Sequence, residues 1–420
     1  MNKPNIEINV TSEIGKLEAV LLHRPGSEVE KMTPQNAERA LYSDILNLAI
    51  VSKEYAQFEG VLNTLTQTYH VKDLLREVLM NEKIHSNFVS RVCLQENLPQ
   101  LEEYLHTLTP QNLTNHMFEG LRMQKNTLTR YLDKERYEIK PLHNFFFTRD
   151  ASISIGNKVL IGRMASHVRK REALIMETIF ESHPGLKTQV ISCQSSQNQQ
   201  NISFEGGDIL VAREDILVMG LSARTTSQGI DRILECMKSK EKIKHILVQE
   251  LPHKPESFIH LDMVFTLLSK EHCMIYEPVI MNESQFATIH IYIENGKVKS
   301  ITQEHDLVSA LKKLGMDLKP ICCGGSADPY IQEREQWHSG TNFFAVAPGK
   351  IIGYGRNVYT IEQLNKNGFD VLTAKEVING KRNPADYNQY VITIEGSELA
   401  RGGGGARCMT MPLSRQNVDW

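Results

Sequence analysis

The chain has 420 residues, of which 47 are Lys or Arg and 50 are Asp or Glu, giving a formal net charge of −3 at pH 7. With 41% hydrophobic residues, the composition excludes a fibrous repeat, a disordered tail and a small disulfide-stapled scaffold. The balanced charge creates no basic field, so we expect no nucleic-acid partner, and the length suits two or three domains or one large domain with an insertion.

The amino-terminal segment MNKPNIEINV has no cationic stretch followed by an apolar one, so the sequence predicts no signal peptide. No apolar run approaches the ~20 residues of a membrane helix, and we expect no membrane contact. The seven cysteines are scattered and include no CxxC pair. This spacing argues against a disulfide framework or a structural zinc site and favours a reducing, cytoplasmic location.

The next segment is predicted to be helical. Between residues 54 and 133 the only glycines are Gly60 and Gly120 and the only prolines are Pro99 and Pro110, while leucines recur at helical spacing, as in VLNTLTQTYHVKDLLREVL. A packing module without chemistry is the simplest interpretation of such a segment. We therefore predict an inserted helical bundle at 54–135 within a single catalytic domain that spans 1–420.

Short apolar runs that end in Gly, Arg or Pro flank this segment on both sides and predict strands. Three stretches share more than such a run: KVLIGRMASHVRKREALI (158–175), DILVMGLSARTTSQGIDRIL (215–234) and KIIGYGRNVYTIEQLNKNGF (350–369). Each reads as a strand, a small turn and an amphipathic helix. Without the helical segment about 340 residues remain, enough for about five units of 65–70 residues, so we predict a repeated α/β architecture.

Polar clusters interrupt the strand-rich regions. NFFFTRD ends at Asp150, FEGGD contains Glu205, and HLD contains His260 and Asp262 before an apolar run. Taken alone, EGGD is typical of a tight turn and HxD of a structural pair. On a strand, however, His260 and Asp262 would point to the same face, where a polar pair must be paired, hydrated or functional.

A fourth cluster, ELARGGGGARCMTM, lies near the carboxyl terminus. Its four glycines allow the backbone to pass close to a ligand, and Cys408 follows at once. A single cysteine with a distant histidine is a candidate nucleophile pair. Together, three carboxylates, one His and one Cys favour a site for a planar cation, because carboxylates bind a guanidinium by paired hydrogen bonds and a thiolate can attack its central carbon. HExxH is absent, and we expect no catalytic metal.

These residues closely resemble one family, the arginine deiminases of the guanidine-modifying superfamily. The motifs occur in the family's order over nearly the whole chain: SEIGKLEAVLLHRPG (12–26), NFFFTRDAS (144–152), FEGGD (204–208), HLDMVF (260–265), REQWHSGTN (334–342) and RGGGGARCMTMPL (401–413). The resemblance implies a five-fold pseudosymmetric α/β propeller of ββαβ modules, the pentein fold, with an inserted helical bundle. It also implies hydrolysis of L-arginine to L-citrulline and ammonia without a cofactor.

The resemblance assigns roles by motif. Cys408 matches the nucleophile, which would form a covalent S-alkylthiouronium intermediate, and His260 matches the general acid and base. Asp150 and Asp262 match the carboxylates that hold the guanidinium, and Glu205 the third carboxylate of the site.

Three further residues match those that bind the amino-acid end of the substrate, namely Asn144, Arg169 and Arg224. One departure concerns the entrance, since many family members carry an Arg five residues before the cysteine, where this chain has Gly403.

Two alternatives remain open on the sequence. One is a related guanidino-group hydrolase or an amidinotransferase with a different substrate, which uses the same Cys, His and carboxylate chemistry. The other is a binding or regulatory protein that keeps the fold without catalysis. The intact Cys408 and His260 argue against the second. A homo-oligomer is compatible with the sequence.

Overall fold

The structure, a computed structural model, describes residues 5–33, 44–193, 202–237, 243–281 and 285–420, so residues 1–4 of the amino-terminal segment and parts of the predicted 1–420 domain lie outside it. Its strands are β1 Ile6–Glu7, β2 Leu17–Leu22, β3 Gln67–His70, β4 Leu121–Arg122, β5 Tyr137–Ile139, β6 Ser152–Ile155, β7 Lys158–Ile161, β8 Leu186–Lys187, β9 Gln189–Ile191, β10 Ile209–Arg213, β11 Ile216–Leu221, β12 His245–Glu250, β13 Phe265–Leu267, β14 His272–Ile275, β15 Thr288–Glu294, β16 Lys297–Glu304, β17 Lys319–Cys322, β18 Phe344–Ala347, β19 Lys350–Tyr354, β20 Asp370–Thr373, β21 Tyr390–Ile394 and β22 Met411–Arg415.

The α-helices are α1 Ser27–Glu30, α2 Leu48–Leu65, α3 Val71–Val78, α4 Glu82–Glu96, α5 Glu102–His106, α6 Pro110–Glu119, α7 Leu128–Leu132, α8 Thr148–Ala151, α9 Lys170–Ser182, α10 Ser227–Met237, α11 Glu277–Ile280, α12 Leu307–Lys313, α13 Pro329–Trp337, α14 Val358–Lys366 and α15 Ala374–Ile378. Short 3-10 helices include Gly206–Asp208, Leu261–Met263 and Leu399–Gly402.

In the described residues, five sheets repeat one pattern of strand pairing. Two antiparallel strands are extended by a third strand that runs parallel to the second. Parallel pairing requires a crossover, and helical residues lie between the second and third strand in each case. The sheets are β6-β7-β9, β10-β11-β12, β13-β14-β17, β18-β19-β21 and β22-β2-β3; the second also carries β15 and β16, and the fourth carries β20.

The strands are short apolar runs because the sheets are covered. In β11 every residue but the last is buried, as is typical of parallel strands with packed faces. Helix α9 is buried from residue 171 to residue 180. The predicted strand–turn–helix stretches are confirmed, since 158–175 contains β7 and the start of α9, 215–234 contains β11 and most of α10, and 350–369 contains β19 and α14.

The helical segment packs against α9 through a shared apolar core, in which Leu75, Val92 and Met117 join Ile175 and Ile179. Its borders differ in detail from the predicted 54–135. Helix α2 begins at residue 48, where the Asn47 side chain accepts hydrogen bonds from two backbone N–H groups of the first turn. Strand β3 lies inside the predicted range, yet it pairs with β2 in one of the five sheets. The helices that follow this strand begin with α3.

The two ends of the chain meet in one sheet. Strand β22 pairs antiparallel with β2, and Asn9 bridges to Ser414. Arg415 is fully buried there and donates to the Gly15 carbonyl at 2.6 Å. In the described ranges, every helix is too short or too polar to cross a lipid bilayer.

Two of the seven cysteines, Cys193 and Cys236, form a disulfide across a separation of 43 residues. Cys193 follows β9 and Cys236 lies in the last turn of α10. The scattered spacing of the cysteines gave no signal for this pair. Cys93, Cys273, Cys322, Cys323 and Cys408 are free.

Candidate active site

A cavity of about 380 Å³ contains most of the predicted site. Six of the eight predicted residues line it, and the other two, Glu205 and Asp262, lie directly behind them. Its lining residues include Asn144, Phe147, Asp150, Arg169, Arg224, Phe258, Ile259, His260, Gly403, Gly404 and Cys408.

The repeated sheets position these side chains in one way. Asp150, Glu205, Asp262 and Cys408 each lie two to four residues before the first strand of a different sheet, namely β6, β10, β13 and β22. The strands anchor the backbone, and the preceding turns carry the polar groups. Residues that are distant in sequence thereby meet at one point.

Cys408 is buried, with its Sγ 3.6 Å from Asp262 Oδ2 and 3.8 Å from Asp262 Oδ1. Burial raises the pKa of this thiol well above its ordinary value, and the negative charges of Asp262 and Asp150 raise it further. The resting sulfur is therefore a thiol that faces a carboxylate. A positive charge that enters between these groups would favour the thiolate.

Asp262 is held by a buried arginine. Arg407 Nη1 donates to Asp262 Oδ2 at 2.8 Å, while its Nε and Nη2 bind both oxygens of Glu13 at 3.0 Å. Burial opposes ionisation of Glu13, but the cations Arg407 and Arg149 lower its pKa to about 2. Asp262 Oδ1 has no contact other than the sulfur among the hydrogen bonds of the described residues, so one oxygen remains available to a ligand.

His260 lies between two carboxylates. Its Nε2 is 3.0 Å from Glu205 Oε2, and its Nδ1 is 3.6 Å from Asp150 Oδ1. Burial lowers the pKa of His260, but Asp150 and the hydrogen bond with Glu205 outweigh it and raise the pKa to about 9. Burial likewise disfavours the charged form of Glu205, yet His260 and Arg169 lower its pKa to about 2. At neutral pH His260 is an imidazolium.

The donor atoms of Asp150, Glu205 and His260 lie within 4.8 Å of one another, a spacing that a metal ion could bridge. In this arrangement, however, His260 and Arg169 already provide positive charge to both carboxylates.

The sequence prediction that placed His260 and Asp262 on one strand is wrong. His260 has extended backbone and precedes the 3-10 helix Leu261–Met263, and the strand begins at Phe265. The turn sends the two side chains to different partners, His260 to Glu205 and Asp262 to Arg407.

Arg169 lines the cavity but is bound by protein carboxylates. Its Nη1 donates to Asp150 Oδ2 at 2.7 Å, and its Nε and Nη2 donate to Glu172 at 3.1 and 2.8 Å. The second oxygen, Asp150 Oδ1, is buried and accepts no hydrogen bond from a described residue. Each of the two aspartates thus has one oxygen fixed by an arginine and one oxygen that accepts no N–H hydrogen bond from a described residue.

Arg224 lies at another part of the cavity wall, on the turn after β11, and its side chain forms no ion pair with a described residue at salt-bridge distance. Burial lowers the pKa of Arg224, and Glu205 opposes this effect. Asn144 also lines the cavity. Gly403 lines it with a left-handed φ of 81°, a backbone conformation that favours glycine.

Sequence reasoning gave no role to several residues that build the site. Asn342 donates to Cys408 Sγ at 3.2 Å, and Asp208 accepts from the Leu261 N–H at 2.9 Å, which fixes the turn beside His260. Glu13, Arg407 and Asn342 were inside quoted motifs, and only their position within those motifs could have pointed to them.

Comparison with known proteins identifies one family. The family model for arginine deiminase matches residues 38–415. A protein named arginine deiminase from Listeria monocytogenes is 33% identical over 429 residues, covering 98% of both chains. One of the same name from Bacillus cereus is 34% identical over 432 residues, covering 98% of this chain and 99% of its own.

The chain belongs to the arginine deiminase family. The expected family resemblance is thereby confirmed. Solved structures similar in fold include SxtG, an amidinotransferase from Microseira wollei in the saxitoxin biosynthetic pathway, with a TM-score of 0.56, 13% identity and coverage of 98% of each chain. The amino-terminal domain of ArgZ, a cyanobacterial arginine dihydrolase bound to product, has a TM-score of 0.52, 14% identity and coverage of 94% of this chain and 97% of that chain.

Proposed function

We propose that this chain is an arginine deiminase, a hydrolase that converts L-arginine and water to L-citrulline and ammonia. The observation that carries the proposal is that Cys408 and Asp150 line one cavity, with Asp262 in contact with the sulfur, and that Asp150 Oδ1 and Asp262 Oδ1 accept no N–H hydrogen bond from a described residue. An arginine guanidinium supplies the planar cation that such oxygens bind. Full-length similarity to proteins named arginine deiminase supports the same substrate.

In the proposed complex, the guanidinium lies between Asp150 Oδ1 and Asp262 Oδ1, in front of Cys408. In this complex Asp150 keeps its hydrogen bond with Arg169, and Asp262 keeps its hydrogen bond with Arg407. The substrate carboxylate then faces Arg224 and Asn144 on the cavity wall. For Arg169, direct binding of that carboxylate requires exchange with Glu172, so we assign it first to holding Asp150 in place.

The proposed reaction has two halves. The substrate cation favours the thiolate, and the sulfur attacks the guanidinium carbon to give a tetrahedral adduct. His260, protonated at neutral pH, gives its proton to the departing nitrogen, the C–N bond of the adduct breaks and ammonia leaves, and the covalent S-alkylthiouronium remains. Water then attacks the same carbon, His260 accepts its proton, and cleavage of the C–S bond releases citrulline. Glu205 stabilises the imidazolium in the first half.

A direct assay tests the proposal. Arginine, agmatine and canavanine are offered side by side, with and without glycine as an amidino acceptor, and ureido product and ammonia are measured. We expect citrulline from arginine irrespective of glycine, and none from Cys408→Ala. Cys322→Ala, at a partly exposed free cysteine outside the cavity, is the matched control and should retain activity. Amidino transfer to glycine without ammonia would instead assign an amidinotransferase.

We also propose that the five sheets surround a common axis as a five-fold pseudosymmetric propeller, in a single catalytic domain with the helical bundle inserted. The repeated strand pairing and the shared location of the site residues support this arrangement. We further propose that the protein is cytoplasmic and forms a homo-oligomer. Small-angle X-ray scattering of the purified protein tests the oligomeric state.

A further inference from the structure

We propose that Asn342 is a further catalytic residue of this site, whose side-chain amide donates to Cys408 Sγ and stabilises the thiolate that attacks the substrate. The inference rests on the proposed function and extends it. Asn342 lies within the motif REQWHSGTN, but the sequence assigns it no role, because an isolated Asn has no recognisable pattern.

The position of Asn342 in the repeated architecture is the first argument. Four of the five sheets are preceded, by two to four residues, by Asp150, Glu205, Asp262 or Cys408. The remaining sheet begins with β18 at Phe344, and Asn342 lies two residues before it. Asn342 therefore lies, in its own sheet, at the position that corresponds to those of Asp150, Glu205, Asp262 and Cys408 in the other four sheets.

The hydrogen bonds of Asn342 are the second argument. Its Oδ1 accepts from the backbone N–H of Arg407 at 2.9 Å and of Cys408 at 3.2 Å. Its Nδ2 donates to Cys408 Sγ at 3.2 Å and to the Asp262 carbonyl at 3.1 Å, and lies 3.7 Å from the weak acceptor Met263 Sδ. Both lone pairs and both N–H groups of the amide are thus used.

This network also fixes the orientation of the amide. If Oδ1 and Nδ2 exchanged places, Nδ2 would face two backbone N–H groups, and donors would oppose donors. Gly405 allows the close approach, since a Cβ there would lie 2.7 Å from both Asn342 Cβ and Oδ1. Asn342 is 1% exposed, so water does not replace its hydrogen bond to the sulfur.

The electrostatics explain why the sulfur needs such a donor. The charged groups that face Cys408 are Asp262, Asp150 and Arg407, and Tyr354 interacts with it electrostatically; His260 lines the same cavity. Burial and the two aspartates raise the thiol pKa, and a hydrogen bond with the Gly405 backbone and the charge of Arg407 oppose them less strongly. Among the described residues, Asn342 is the only side chain that donates an N–H to Sγ. A hydrogen bond to a charged acceptor is among the stronger kinds.

The proposed step moves one proton and one electron pair. The thiol proton leaves to solvent as the substrate cation binds, and the amide N–H holds the electron pair of the thiolate in line with the guanidinium carbon. That pair forms the C–S bond, and the amide itself gains and loses no proton.

Two variants test the proposal. Asn342→Asp keeps an acceptor for the two backbone N–H groups but lacks the donor. Asn342→Ala lacks the donor without adding a charge. Asn357→Asp is the matched control, since Asn357 is 2% exposed and donates to the His338 carbonyl at 3.0 Å, away from the sulfur.

The first readout is the pH dependence of Cys408 alkylation by iodoacetamide in the absence of arginine, followed by mass spectrometry of the peptide that contains Cys408. We expect the alkylation pKa to rise by roughly one unit or more in both Asn342 variants, and to stay unchanged in the control. The second readout is steady-state kinetics, in which kcat at pH 7 should fall roughly tenfold or more and recover in part at higher pH, with a smaller change in KM.

In Asn342→Ala with a native circular dichroism spectrum, an alkylation pKa equal to that of the wild type would overturn the proposal, whatever the activity of the variant. If Asn342→Asp does not fold, the Ala variant gives the same decision. The alkylation readout needs no substrate, so it remains valid if the protein produces no citrulline. Failure of the proposed function and failure of this inference are therefore distinguishable.

Discussion

Cys408 and His260 start the proposed reaction in opposite states. Burial and two aspartates keep the sulfur protonated, whereas Asp150 and Glu205 keep the imidazole charged. The site therefore holds a neutral nucleophile and a charged acid until a cation arrives. A guanidinium between the aspartates offsets the negative charge that opposes the thiolate, so binding and activation become one event.

The raised pKa of His260 predicts a pH-dependent stability. Its pKa is about 9 in the folded protein against 6.5 ordinarily, so the imidazolium stabilises the fold fully below about pH 6.5 and loses this effect as the pH rises through about 9. We expect the stability difference between wild type and His260→Gln, measured by urea unfolding, to fall by on the order of 3 kcal/mol across that window.

His305→Gln is the control for this series. His305 pairs with Asp306, but its side chain is 59% exposed, so solvent screens the pair and the same window should bring little change. A difference between wild type and His260→Gln that stays constant from pH 6 to pH 9.5 would contradict the assigned charge of His260.

Arg407 is a buried cation that pairs with both Glu13 and Asp262, so its replacement should lower both stability and activity. Arg407→Lys keeps the charge but cannot reproduce the fork that binds Glu13 with two hydrogen bonds. We expect a loss on the order of 3 kcal/mol in the free energy of unfolding, and loss of turnover because Asp262 shifts.

Arg401→Lys serves as the comparison for Arg407→Lys. Arg401 pairs with Asp44 and Glu398, but its side chain is 40% exposed, so we expect a change within about 0.5 kcal/mol. Equal effects of the two substitutions in chemical denaturation would show that the buried network contributes nothing special.

The predicted site residues were chosen because each lies in a recognisable motif, and the structure places six of the eight on one cavity. The sequence did not reveal the partners that hold them. Glu13 and Arg407 are 394 positions apart, and a single sequence contains no pattern that pairs them. The strand predicted at His260 failed for a local reason, since alternation over three residues does not distinguish a strand from a 3-10 turn.

At the scale of elements, the 3-10 helix Gly206–Asp208 directly follows Glu205 and packs against the His260 side chain. A Cβ at Gly207 would lie 2.4 Å from His260 Nδ1 and 3.0 Å from Asp150 Oδ1. We expect Gly207→Ala to displace the imidazole and to lower kcat by roughly a hundredfold, because general acid–base catalysis of this kind contributes about 10²–10⁴.

Gly60→Ala provides a control for Gly207→Ala. A Cβ at Gly60, inside α2, meets only the Ile378 side-chain end at 2.8 Å, which can move, and alanine favours a helix. Activity should be unchanged. If Gly207→Ala also retained full turnover, the close packing of His260 on this turn would have no catalytic role.

Element boundaries show a further limit of sequence reasoning. The periodic leucines predicted a helical segment, and helices are indeed present from α2 to α7. Yet β3 interrupts them, because QTYH pairs with a distant apolar strand, β2, and this tertiary pairing decides its conformation. The repeated strand–turn–helix units were predictable, since covered strands and amphipathic helices have strong local patterns.

At the scale of the whole molecule, the site depends on closure of the chain. Strand β22 starts three residues after Cys408 and pairs with β2, whose partner strands are β22 and β3. The nucleophile is thus fixed by contacts between the two ends of the chain, and loss of this pairing should release Cys408 from Asp262 and Asn342 together.

Leu413→Ala tests this dependence. Leu413 is fully buried in β22, so its truncation should destabilise the protein by about 2–5 kcal/mol. Leu132→Ala, at a leucine that is 68% exposed in α7, is the matched control and should change stability by less than about 0.5 kcal/mol. Activity and circular dichroism are followed during heating. We expect both transitions of Leu413→Ala to shift down together, because the strand holds the nucleophile and completes the sheet. If the unfolding temperature fell while activity was lost at the same temperature as in the wild type, the position of Cys408 would not depend on β22.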